Sequence, residues 1–276
     1  MNFWKKIFGI SNSNKYKSQL IKDKEELDVL GLKSMTDLEI LVKPLIRTAT
    51  KIEVLPPSKP PENAQLKSHF GGQPYFEKHE LWPKSKAGKN LDFIFQVFNS
   101  AELQLPDSIE LIQFYYDWEE FPWDTTDDGW LVKIYKTIDK EKIKTIEKPS
   151  ELESSKYCEI DFKTVKSLPD WEGLDVFCNK ALKLACELDE DESWELYDQV
   201  VTKLTGKEGE YQSQLGGYPR WVQGEATPDN SKGNPTKLLF QIDSEDNAEI
   251  MWGDAGLIYV FYDEETEDTE FTLQCH

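Results

Sequence analysis

The sequence predicts an α+β protein: an internally duplicated sheet-forming unit with a pseudo-twofold relation, giving a mixed or mainly antiparallel sheet flanked by helices. Three observations predict it. Two distant stretches repeat one glycine–proline turn, each followed 24 residues after its second glycine by a glutamine in a strand-like run. An aromatic, β-branched run then closes each stretch. Helical apolar stripes occupy the N-terminal region and the segment between the repeats.

In chain order, Tyr16, Leu20, Ile21, Leu27 and Leu30 trace a first helix that stops at Gly31. Thr36 and Glu39 have the spacing of a capping box for a second helix with Leu38, Leu41, Val42 and Leu45 on one face, ended by Pro44. Residues 51–55 alternate as a strand, and Pro56, Pro57, Pro60 and Pro61 make an extended connector. Residues 1–61 are therefore read as an N-terminal segment, 62–117 as the first copy, 118–206 as an insertion and 207–276 as the second copy.

In the first copy Ser68-His69-Phe70-Gly71-Gly72-Gln73-Pro74 precedes Phe93-Ile94-Phe95-Gln96-Val97 and a closing run that ends at Asp117. Its counterparts are Ser213-Gln214-Leu215-Gly216-Gly217-Tyr218-Pro219, Leu238-Leu239-Phe240-Gln241-Ile242 and a run ending at Asp263. The paired glycines permit positive φ, and the following proline stiffens the exit. Residues 130–135 in the insertion read as a strand. Leu174, Phe177, Cys178, Ala181, Leu182, Ala185 and Leu188 trace a helix, and Trp194, Tyr197, Val200, Val201 and Leu204 trace another that ends at Gly206.

Fifty-two acidic against 32 basic side chains give a net charge of −20, which repels a phosphate backbone and excludes nonspecific nucleic-acid binding. Hydrophobic residues at 38%, with nine tryptophans, suffice for a core, so disorder throughout is excluded. Four scattered cysteines without a C-x-x-C pair fit neither a disulfide framework nor a zinc ribbon, which points to a reducing cytoplasm. No run reaches the ~20 apolar residues that cross a bilayer. Membrane contact is not expected, residues 1–10 being the one segment that could make it, since Phe3, Trp4, Ile7 and Phe8 recur there at helical spacing beside Lys5 and Lys6; a frayed or self-docked terminus is preferred.

The segments Leu215-Gly216-Gly217-Tyr218-Pro219-Arg220-Trp221-Val222-Gln223, Leu238-Leu239-Phe240-Gln241-Ile242-Asp243-Ser244 and Met251-Trp252-Gly253-Asp254-Ala255-Gly256 resemble the bacterial YwqG family. Gly71-Gly72-Gln73-Pro74, Leu81-Trp82-Pro83 and Leu91-Asp92-Phe93-Ile94-Phe95-Gln96 resemble its opening half, so the likeness covers about 45–275 as one compact domain. That family has no assigned function, and no catalytic residue carries over. Its relatives near toxin and immunity genes imply a binding role. The first copy lacks the Trp-Gly-Asp-Ala-Gly block, so its two halves need not be chemically equivalent.

No enzyme signature is present: nucleophile elbow, phosphate-cradling loop and histidine metal triad are all missing. The loop from Asp243 to Asn247 alternates oxygen-bearing side chains as a calcium loop does, but it lacks the required glycine and final glutamate, so a polar hairpin loop is preferred. The candidate ligand-binding residues are Trp82, Gln96, Trp221, Gln241, Asp243, Trp252 and Asp254, with no catalytic residue, metal or cofactor assigned. Buried structural roles compete for each: a turn for Asp254, core packing for Trp252, loop-backbone satisfaction for the two glutamines. The expected function is a non-catalytic intracellular binding or adaptor module of immunity type whose partner is a protein, a peptide or a small molecule. The alternative is a metal-dependent or carboxylate-based hydrolase using Asp243 and Asp254.

Overall fold

The computed structural model describes residues 13–152, 155–206 and 212–276; the apolar decapeptide at the N-terminus lies outside them. The chain divides into two compact units interleaved in sequence. One comprises residues 1–47, 166–210 and 218–225, and the other residues 48–165, 211–217 and 226–276.

The first unit holds the four α-helices of the described residues: α1 (Ser13–Leu30), α2 (Met35–Val42), α3 (Leu174–Leu188) and α4 (Ser193–Thr205). Leu27, Leu38, Val42, Leu182, Ala185, Tyr197 and Val200 form its core. The cap of α2 sits two residues before the predicted box. Ser34 is extended at φ −144, and its hydroxyl accepts from Asp37 N while donating to Asp37 Oδ2. Asp37 also accepts from Lys33 N, so the Ser34–Asp37 pair satisfies helix-start donors that Thr36 and Glu39 were expected to cover. Trp194 lies in the first turn of α4 and is exposed, unlike the rest of its predicted stripe. Gly206 ends α4 in the left-handed region at φ 76, as the sequence predicts.

The second unit is a ten-stranded antiparallel sheet in the order β10-β9-β8-β7-β1-β6-β2-β3-β4-β5. Its strands are β1 (Arg47–Val54), β2 (His69–Phe70), β3 (Asp92–Phe98), β4 (Leu111–Tyr116), β5 (Trp130–Tyr135), β6 (Cys158–Ser167), β7 (Gln214–Gly216), β8 (Lys237–Asp243), β9 (Leu257–Tyr262) and β10 (Thr269–Gln274). β6 is unanticipated by the sequence reading. The sheet nearly closes. Asp124 bridges Thr272, Thr125 Oγ1 and the Phe271 backbone exchange hydrogen bonds, and Trp130 of β5 stacks on Phe271 of β10 at 5.3 Å. Inside lies an aromatic core in which Phe95 and Phe240 meet edge to face at 5.0 Å and both touch Phe114.

The flanks β2–β5 and β7–β10 match in detail. His69 pairs with Gln96 as Gln214 pairs with Gln241, and each long strand carries one bulge, between Phe93 and Phe95 or between Leu238 and Phe240. Gly71, Gly72, Gly216 and Gly217 all have positive φ. The hydroxyl of Ser68 accepts from Phe98 N, and that of Ser213 from Asp243 N. Lys84 bridges Asn90 as Asp229 bridges Pro235. After β4, Asp117 Oδ1 accepts from the amides of Glu119 and Glu120; after β9, Asp263 Oδ1 accepts from those of Glu265 and Thr266. Each of these turns then places a non-glycine residue at positive φ, Phe121 at 50 and Glu267 at 62.

Candidate functional site

Several residues singled out by the sequence are taken up by the interior. Gln96 is fully buried: its Oε1 accepts from Tyr75 N and Gln113 Nε2, and its Nε2 donates to the carbonyls of Gln65 and Lys67. Gln241 is equally buried and donates to Gln212 O at 2.7 Å. A glutamine next to a strand phenylalanine thus serves loop backbone that would otherwise lose its hydrogen bonds. Trp82 donates to Leu91 O at 2.8 Å and packs with Phe76 and Tyr115. Trp221 lies in the helical unit, where its backbone N donates to Asp170 and its Nε1 to Glu225.

The Trp252 corner is built in the same way. Its ring is completely buried, stacks on Trp118 at 4.9 Å and meets Tyr116 edge to face at 5.1 Å. Trp252 Nε1 donates to Asp243 O, and its backbone N donates to Ser244 Oγ. Asp254 is exposed, and its backbone carbonyl accepts from His276 N. Gly256 is required by space: a Cβ there would stand 2.3 Å from Gln274 O and 2.5 Å from Trp252 O. Ala255 beside it holds φ 47, a left-handed conformation that strains any residue with a Cβ. Ala255→Gly is expected to raise the unfolding free energy by roughly 0.5–1 kcal/mol, the relief of strain exceeding the added chain entropy. Urea unfolding checks this; an unchanged or lower midpoint refutes it.

None of these seven residues lines the cavity found at Ile94, Trp118 and Met251 in the sheet unit. It measures about 270 Å³ and is lined by Gly71, Asp92, Phe93, Ile94, Trp118, Ser155 and the segment Ala248-Glu249-Ile250-Met251. That segment completes the polar hairpin loop preferred over a calcium loop. Glu245 and Ile250 exchange backbone hydrogen bonds, a 3-10 turn runs over Asp246–Ala248, and Glu249 turns the chain at φ 56. Asn247 ties the loop down by donating to Val54 O and accepting from Cys158 Sγ. Glu249 pairs with Lys156 at 2.5 Å, and Met251 stands 53% exposed at the cavity. On the opposite side Gly71 lets the chain pass under Lys156, whose carbonyl would lie 2.2 Å from a Cβ. At the matching place in the other flank, Gln104 crowds Gly216, with its Cβ 2.9 Å from where one would stand there.

Beneath the loop, Glu245 accepts a hydrogen bond from the Ser213 hydroxyl, and burial raises its pKa from 4.5 to about 7. Burial raises Asp243 as well. His69, wholly buried between Phe93 and Tyr157, is pushed down from 6.5 to about 4 by burial. Among the described residues no group of three or more His, Cys, Asp or Glu side chains is placed to hold a metal ion. No described helix is long and apolar enough to cross a membrane.

A family model described as a domain of unknown function, DUF1963, matches residues 68–271. The chain belongs to the DUF1963 family. The matched span runs from the serine of the first glycine turn to Phe271 in β10, taking in β2–β9 and the cavity-lining residues named above. No curated protein matches the chain.

Proposed function

We propose that this DUF1963 chain is a YwqG-like, non-catalytic binding module, and that its ligand occupies the cavity at Ile94, Trp118 and Met251. The observation that carries the reading is the cavity itself: a concave space with an aromatic and aliphatic wall and a few convergent polar groups is the usual form of a ligand site. The sheet that carries it is read as a duplication of one unit, in residues 62–117 and 207–276. The matched registers, bulges, glycines and aspartate turns support that origin, as does the direct contact of Phe95 with its counterpart Phe240, the kind of self-contact an approximate twofold axis produces. The symmetry extends to crowding at the turn glycines, Lys156 closing on Gly71 as Gln104 closes on Gly216. The hydrolase reading draws less support, because neither Asp243 nor Asp254 lines the cavity.

The chain has three methionines, Met1, Met35 and Met251, and only Met251 lines the cavity, so methyl-13C methionine labelling gives a clean reporter. Small aromatic and aliphatic fragments, neutral, cationic and anionic, are expected to shift the Met251 methyl signal and leave that of Met35 in place. Ser155→Trp, at an exposed lining position, is expected to abolish the shift. A Met251 signal that no fragment moves would remove the cavity as the binding site.

A further inference from the structure

We infer that the cavity takes a cationic side chain, a lysine or arginine presented by a basic peptide segment; this rests on the binding reading above and specifies its ligand. The lining residues divide by chemistry. Phe93, Ile94, Trp118, Ile250 and Met251 supply an apolar wall suited to a long methylene stem. Among the described lining residues the ionisable ones are Asp92 and Glu249, both acidic. Trp118 is the partly exposed aromatic of the group, stacked on Trp252 by one face, and an indole is the ring type that best attracts a cation.

The surroundings extend the same complementarity. Directly after β4, Asp117-Trp118-Glu119-Glu120 places three carboxylates around Trp118 in sequence. These carboxylates already hold one ammonium, that of Lys89, 2.9 Å from Glu119, 3.0 Å from Glu120 and 3.7 Å from Asp117, with its pKa raised by the first two. In the cavity lining itself, Glu249 is engaged by Lys156 in a solvent-exposed pair. Such pairs contribute little, so an incoming cation can exchange with Lys156 at small expense. A net charge of −20 attracts a basic segment over long range and repels an acidic one.

The test uses the full chain with methyl-labelled methionine and four blocked tetrapeptides that differ at one central position: lysine, arginine, norleucine or glutamate. The lysine and arginine peptides are expected to shift the Met251 methyl signal with at least tenfold tighter binding than the norleucine peptide, and to weaken as salt rises. The glutamate peptide is expected to bind weakest. Asp92→Asn and Glu249→Gln should each reduce the lysine preference and together erase it, while norleucine binding persists. Equal binding of lysine and norleucine peptides leaves the cavity as a ligand site and overturns the cationic assignment. A lysine preference that survives the double substitution overturns it too, and silence at Met251 with all four peptides and all fragments overturns the site as well.

Discussion

Trp252→Ala is expected to lower the unfolding free energy by about 3–5 kcal/mol, the range found when a buried tryptophan or phenylalanine is truncated. The ring is fully buried against Trp118, Tyr116 and Phe114, so its removal forfeits dispersion contacts on several sides and leaves a void that a β-sheet interior closes poorly. The loss reaches the cavity as well. Trp252 N holds Ser244 Oγ and Trp252 Nε1 holds Asp243 O, and these bonds sit at the root of the loop that carries Glu249 and Met251. Chemical denaturation should therefore show a midpoint shifted by several kcal/mol. Trp252→Phe, which keeps an aromatic ring but loses the Nε1 donor, should recover part of the loss. A Trp252→Ala midpoint within about 1 kcal/mol of the parent would mean that the core at this corner is not packed as described.

The parts of this molecule that the sequence disclosed are those where one local conformation demands one residue type. Gly71 and Gly216 combine positive φ with crowding that leaves no room for a Cβ, 2.2 Å from Lys156 O and 2.9 Å from Gln104 Cβ, so the turn motif stands out twice along the chain. The strands β3, β4, β8 and β9 are buried on nearly every residue and read as continuous apolar runs. β6 was missed although Cys158, Ile160 and Val165 are buried among exposed neighbours. The alternation Cys158-Glu159-Ile160-Asp161-Phe162-Lys163 is a legible strand signal that was passed over. The cap of α2 was misplaced because Ser34-x-x-Asp37 and Thr36-x-x-Glu39 overlap, and side-chain geometry alone decides between them.

Site residues were harder to read, for a physical reason. Tryptophan and glutamine can serve a cleft or the interior, and of the two the sequence favours core packing for Trp252 and loop-backbone satisfaction for the glutamines. One carbonyl satisfies an indole N–H and leaves the remaining ring free to be buried, as Trp82 and Trp252 are. Gln96 spends its whole hydrogen-bonding capacity on loop backbone and its neighbour Gln113. The cavity draws instead on residues 71, 92–94, 118, 155 and 248–251, which are adjacent only after the sheet has curled, and no spacing in the chain announces that. Two clues were nevertheless printed there. Trp118 is followed by two glutamates, and Met251, a large apolar residue, follows a strongly polar run.

The second large effect is on pH dependence, and it belongs to Glu245. Burial raises its carboxyl to about 7 from an ordinary 4.5, against the opposing hydrogen bond from Ser213 and with Asp243 and Asp246 adding to the rise while Lys51 reduces it. The folded protein therefore holds a proton on this group that the unfolded chain releases. Its contribution to stability is complete below about pH 4.5 and is lost as pH rises through about 7. The size of that loss is about 2 kcal/mol, after allowing for the partial exposure of the group. His69 acts in the opposite sense over an overlapping window: its pKa is depressed to about 4, so its contribution is present above 6.5 and is lost as pH falls towards 4. The parent curve alone mixes the two, and the difference between parent and Glu245→Gln separates them. The glutamine keeps an oxygen to accept from Ser213 but never ionises. It should match the parent near pH 4.5 and exceed it by about 2 kcal/mol at pH 8, with the gap opening between those limits. Since Glu245 and Ile250 close the base of the loop that carries Glu249 and Met251, the Met251 methyl signal of the parent should titrate over the same range and that of Glu245→Gln should not. Parallel stability curves for the two proteins from pH 4.5 to 8 would show that Glu245 ionises in the folded state as it does in the open chain, and that the loop stands on something other than a buried, protonated carboxyl.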